Sequence, residues 1–67
     1  MWEVLEERFC PGVGRITAGL AIDAKTFWVS VELDGERVTL FCDSLNEAEV
    51  VYTALDSRDN LSELGFV

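Results

Sequence analysis

Two alternating apolar and polar runs meet at Asp34-Gly35, and that junction limits what the chain can become more than any other feature. Thr-Phe-Trp-Val-Ser-Val-Glu-Leu precedes it from Thr26, and Glu-Arg-Val-Thr-Leu-Phe-Cys-Asp follows it to Asp43. A two-residue Asp-Gly loop suits a type I′ turn, whose central residues both need positive φ. The register then follows: Leu33 faces Glu36, Glu32 faces Arg37, Val31 faces Val38, Ser30 faces Thr39, Val29 faces Leu40, Trp28 faces Phe41 and Phe27 faces Cys42. All but the pair at the turn are chemically matched, and a slip of one residue would invert both faces. The core face is therefore Phe27, Val29, Val31, Leu33, Val38, Leu40 and Cys42, and the opposite face carries Trp28, Ser30, Glu32, Arg37, Thr39 and Phe41.

The remaining segments extend this hairpin. Ile16, Ala18, Leu20 and Ile22 alternate with Thr17, Gly19 and Ala21, which predicts a strand over 15–23. Setting Ile22 opposite Phe27 would pair Leu20 with Val29, Ala18 with Val31 and Ile16 with Leu33. Residues 1–9 fit either a helical stripe (Trp2, Leu5, Phe9) or a strand; the turn-like Cys10-Pro11-Gly12-Val13-Gly14 favours a strand over 2–9 that doubles back on the next. After Asp43 the apolar period changes to that of a helix. Ser44 with Glu47 forms a capping box, and Leu45, Ala48, Val51, Tyr52 and Leu55 make one stripe, predicting a helix over 45–56. Asn60 with Glu63, and then Gly65, frame a helical turn over 61–64. The expected fold is α+β: an antiparallel meander of three or four strands (2–9, 15–23, 26–33, 36–42), covered on one face by a helix, in a single domain 1–67.

Charge narrows the function. Thirteen acidic residues stand against five basic ones, a formal charge of −8, so direct binding to nucleic acid or to anionic membrane is disfavoured. A basic protein surface is the natural partner. No apolar stretch approaches a membrane span, and Met-Trp-Glu-Val-Leu-Glu-Glu is too acidic to open a signal peptide, so a cytoplasmic protein is expected. Cys10 and Cys42 have no metal-site spacing. In a reducing compartment they read as free thiols, and a disulfide would need the first segment to lie beside the third strand.

Nothing in the sequence carries recognisable catalysis, and no cofactor or metal is expected. Histidine is absent, which removes His-dependent triads and His metal ligands. Gly12-Val13-Gly14 lacks the third glycine of a dinucleotide fingerprint and the lysine of a phosphate loop. Asp56-Ser-Arg-Asp59-Asn60 is like a calcium loop only in part, since neither its glycine nor its distant glutamate follows in register.

Two constellations remain. Trp28 opposite Phe41, beside Gly19 and Ala21, makes an aromatic patch on the face away from the helix, unless a terminal segment folds over it. Carboxylates at Asp34, Glu36, Asp43, Glu47, Glu49, Asp56 and Asp59 offer a rigid acidic surface to the Arg and Lys of a partner. In length, acidity and lack of catalytic side chains the whole chain resembles the small acidic inhibitors of phages and mobile elements, the anti-CRISPR and anti-restriction proteins that include DNA mimics; no motif is shared. That resemblance implies a stoichiometric inhibitor whose acidic surface occupies the basic nucleic-acid-binding site of a nuclease or CRISPR effector subunit, with no enzymatic activity. The alternative is a small structural or regulatory homodimer associating through Trp28 and Phe41.

Overall fold

The structure, a computed structural model, describes residues 2–22, 25–56 and 58–66, with Arg58 described by its backbone alone. Four strands, β1 (Trp2–Cys10), β2 (Gly14–Ala21), β3 (Thr26–Leu33) and β4 (Glu36–Cys42), form one antiparallel sheet in sequence order. Helix α1 (Leu45–Ala54) packs on one face, and a short α2 (Arg58–Glu63) follows it. The architecture is the α+β meander that the pattern predicts, and the first segment is a strand from Trp2 to Cys10.

The hairpin of β3 and β4 has the register derived above at every pair. Asp34 (φ 55°) and Gly35 (φ 83°) both occupy the left-handed region that a type I′ turn requires. The β2–β3 register differs from expectation by two residues: Ile16 faces Val31, Ala18 faces Val29, Gly19 faces Trp28 and Leu20 faces Phe27. A two-residue slip keeps every side chain on its predicted face, so alternation alone cannot detect it. Strand β2 accordingly ends at Ala21, and Ile22 enters the turn closed by the Lys25 amide donating to its carbonyl (3.3 Å). Asp23 and Ala24 lie outside the described residues.

Strand β1 pairs with β2 through a register shift between Val4 and Glu6. This bulge explains why the apolar residues of β1 follow no single alternation: Trp2 and Val4 share a face with Ala21 and Gly19, and beyond the bulge Glu6, Arg8 and Cys10 share the other face with Ala18, Ile16 and Gly14.

The core lies between the sheet and α1, built on Ile16, Val29, Val31, Cys42, Ala48, Val51, Tyr52 and Leu55, and closed at one end by Leu61 and Phe66. Val13, read above only as part of a loop, is fully buried in it. Val38, predicted in the core, is exposed because it lies on the edge strand, and Leu45 is exposed at the start of α1. Ser44 caps α1 as expected, its Oγ accepting from the Glu47 amide (3.1 Å), while the Glu47 carboxylate accepts from the Asp43 amide (2.9 Å).

The last turn of α1 contains no basic residue, and β1 supplies one. Arg8 Nη2 donates to the carbonyls of Tyr52 (2.6 Å) and Leu55 (3.0 Å), and its guanidinium lies 5.0 Å from the centre of the Tyr52 ring. A cation placed there satisfies carbonyls left open at the helix end and opposes the helix dipole. Helix α2 begins three residues before the predicted turn. Asn60 sits inside it and donates to Ala54 O and Asp56 Oδ1, in place of the capping role expected of it. Its end is as expected: Phe66 N bonds Leu61 O (2.8 Å) and Gly65 N bonds Ser62 O (3.2 Å), a Schellman motif around a glycine at φ 92°.

Candidate functional site

The two faces of the sheet differ in charge. Of the described acidic residues, only Glu7 and Glu32 belong to the face away from the helices, where the basic residues Arg15 and Arg37 accompany them. Every other described carboxylate lies on the helix side or in the loops at its two ends. Arg8, the basic side chain that β1 places on that side, is held against carbonyls and the Tyr52 ring. The acidity of the chain is thus concentrated on one side.

The carboxylates singled out from the sequence divide into two groups. Asp43, Glu47 and Glu49 lie where α1 begins; Asp34 and Glu36 lie at the β3–β4 turn, and Asp56 and Asp59 lie beyond the far end of α1. All seven are exposed. The length of β4 separates the groups by roughly 20 Å. Glu47 and Asp56 also have structural duties, at the α1 cap and as an acceptor for Asn60.

Two further carboxylates join the first group. Glu3 and Glu6 project from β1 on the helix side because they pair with Leu20 and Ala18, and both are exposed. Between β1 and α1 opens a hollow of about 230 Å³ with an apolar lining that includes Leu5, Phe27, Leu45 and Tyr52, rimmed by Glu6 and Glu49. Glu6 and Glu49 lie 43 positions apart in the chain, so no local pattern could have joined them; only the strand order brings them together.

On the opposite face Trp28 is buried, covered by its neighbour Trp2 on the edge strand rather than by a folded-over terminus. The two ring centres lie 5.1 Å apart, and Trp2 meets Phe41 edge-on at 5.6 Å. The indole of Trp28 lies over Gly19, where a side chain would collide with it. Its N–H finds no acceptor among the described residues. Phe41, Trp2, Val4 and Phe9 remain 54–72% exposed on this face.

The thiols are free, and they sit at opposite ends of the sheet: Cys42 pairs with Phe27, and Cys10 with Gly14. No intramolecular disulfide can span that distance. Burial pushes the Cys42 thiol above the ordinary range, and the nearby Glu47 and Asp43 push it further. Burial likewise raises the Tyr52 phenol, opposed by the Arg8 cation. Among the described residues no three His, Cys, Asp or Glu side chains gather closely enough to hold a metal ion, and no helix is long and apolar enough to cross a membrane.

Fold and surface together define a small two-layer α+β domain with an acidic helix side and an apolar, charge-balanced sheet face. No protein-family model matches the chain, and comparison with curated proteins and with solved structures gives no match either.

Proposed function

We propose that the protein is a cytoplasmic, non-catalytic inhibitor of the phage anti-CRISPR or anti-restriction kind, whose acidic helix side occupies the basic nucleic-acid-binding site of a nuclease or CRISPR effector subunit. The observation that supports this reading best is the segregation of charge: the described carboxylates other than Glu7 and Glu32 lie on the helix side or at its ends, on a rigid two-layer scaffold. Arginine and lysine side chains that hold phosphates can hold carboxylates by the same bidentate or point-charge contacts. The hollow between β1 and α1 adds a place for an apolar side chain of the partner, with Glu6 and Glu49 set to meet basic residues flanking it.

Capture on immobilised protein tests the reading. At about 0.1 M salt a nucleic-acid-binding protein should be retained, and at about 1 M salt it should be released as screening rises. The captured protein should then fail to bind its nucleic acid when the chain is added back. Retention that survives high salt, or a captured protein that binds nucleic acid equally well with the chain present, would refute the proposal.

A further inference from the structure

The uncovered face of the sheet has a charge pattern that is complementary to itself. Its cross-strand rows are fixed by the register. Phe9, Arg15, Glu32 and Arg37 form one row from β1 to β4, and Glu7 leads the next row, its carboxylate accepting from the buried Thr17 hydroxyl at 3.4 Å. The aromatic cluster of Trp2, Trp28 and Phe41 fills the far end. Both helices lie on the other side, and nothing in the described chain covers the exposed Trp2, Phe9 and Phe41. The formal charges on the face, Glu7 and Glu32 against Arg15 and Arg37, cancel, although the chain as a whole carries −8.

We infer that this face is a self-recognition surface, on which two copies of the chain stack sheet to sheet about a two-fold axis running along the strands between β2 and β3. Such an axis exchanges β1 with β4 and β2 with β3 while keeping each row level with itself. Arg15 of each copy then lies over Glu32 of the other, and Arg37 of each lies over the Phe9 ring of the other, so every contact is made twice, as an isologous interface requires. The charged contacts are ion pairs and the Arg–Phe contacts are cation–π pairs. At the other end Phe41 of each copy comes over Val4 and Trp2, removing their exposed apolar surface from water. Sheets stacked in this way lie roughly 10 Å apart. The two acidic helix sides then point outward in opposite directions, as any stacking on this face makes them do, and most of the negative charge of the two chains is kept apart. An axis across the strands would instead set the charged row over the aromatic end and leave Arg15 and Glu32 without partners.

This interface is independent of the proposed inhibitory contact: it lies on the other face of the sheet, and none of Phe9, Arg15 and Glu32 is among the residues assigned to that contact.

The test is sedimentation equilibrium of the full chain from about 1 µM to about 500 µM, repeated for Arg15→Glu, Glu32→Arg, their equimolar mixture and Phe9→Ala, with circular dichroism recording that each is folded. The parent should dimerise. Each charge reversal should weaken dimerisation at least about tenfold by setting like charges face to face. Mixing the two reversals should restore the dimer, because each introduced charge then meets an opposite one across the interface. Phe9→Ala, which removes a ring that is 72% exposed in the single chain, should weaken association without unfolding. A parent that stays monomeric over the whole range overturns the inference. So does a dimer indifferent to these substitutions, or a mixture that associates no better than its components.

Discussion

Replacing Gly19 with alanine tests the packing on which the sheet face depends. A Cβ at this position would lie 2.7 Å from Trp28 Cε2, and closer still to the ring's Cζ2 and to the carbonyl oxygen of Glu3. The carbonyl belongs to the backbone of β1 and cannot move without lifting that strand, so either β1 or the indole must give way. Either movement parts Trp28 from Trp2, whose ring centres now lie 5.1 Å apart. Overpacking of this kind costs about 1–3 kcal/mol, and a weakened aromatic pair adds about 0.5–1.5 kcal/mol. Alanine recovers about 0.4–1 kcal/mol by restricting the unfolded chain. The net loss is about 1–3.5 kcal/mol, a large share of the roughly 3–10 kcal/mol that a domain this small can hold. Each kcal/mol lowers the midpoint by about 4–8 °C at this size, so thermal unfolding followed by far-ultraviolet circular dichroism should fall by at least about 5 °C. The near-ultraviolet signal of the tryptophan pair should shrink with it. A midpoint within about 2 °C of the parent, smaller than half a kcal/mol would produce, together with an unchanged near-ultraviolet spectrum, would refute the close contact between Gly19 and Trp28.

Three other substitutions and conditions probe separate parts of the molecule. Arg8→Ala should destabilise by about 1.5–3 kcal/mol in chemical denaturation, since it removes two hydrogen bonds from a charged donor at the end of α1; a loss below about 0.5 kcal/mol would mean that the cation does not hold the helix end. Glu47→Lys should cost about 0.5–2 kcal/mol, because it removes the carboxylate that accepts from the Asp43 amide and sets a cation at the positive end of the helix dipole, whereas Glu49→Lys should stay within about 0.5 kcal/mol of the parent. Equal stabilities of these two variants would contradict the assignment of the Glu47 carboxylate to the cap. In thiol titration at neutral pH the native protein should expose Cys10 alone, with buried Cys42 reacting only after unfolding. Because the Cys42 thiol is raised on folding, its contribution to stability is complete below the unfolded thiol's pKa of about 8.5 and is lost as pH rises from there through the folded value. The denaturation midpoint should therefore fall on the alkaline side, and a midpoint that rises there would contradict the burial of this group.

Much of the fold was legible because the local signals agree with one another. Asp34-Gly35 fixes a turn type, the turn type fixes a register, and the register matched charge with charge and ring with ring, so β3 and β4 could be placed residue by residue. The loop before β3 has no such signature, and there the pairing was displaced by two, a slip that leaves both faces intact. The bulge in β1 was invisible for a related reason: it breaks the alternation, and a broken alternation looks the same as weak evidence for a strand. Asn60 misled because its amide serves residues before α2 as readily as a cap would serve those after it.

The candidate surfaces were legible only in part. Acidic positions on α1 and at the turn could be named individually, since a capping pattern and a hairpin each declare their solvent side. The joining of Glu6 with Glu49 around one hollow depends on the edge position of β1 and on α1 packing over the other three strands. Trp2 covering Trp28 depends on the same strand order. Phe41 was placed correctly on the uncovered face, but the row that makes this face complementary to itself needs Phe9 and Arg15 level with Glu32. That alignment comes from the actual registers of β1 and β2, not from the one expected.

The claim that the acidic helix side takes the place of nucleic acid is tested most directly by calorimetric titration of the chain into its captured partner, with and without saturating nucleic acid. Mutually exclusive binding is the predicted result: a stoichiometric heat for the free partner that disappears once its nucleic-acid site is filled. Undiminished binding of the chain to the nucleic-acid-loaded partner would contradict the account.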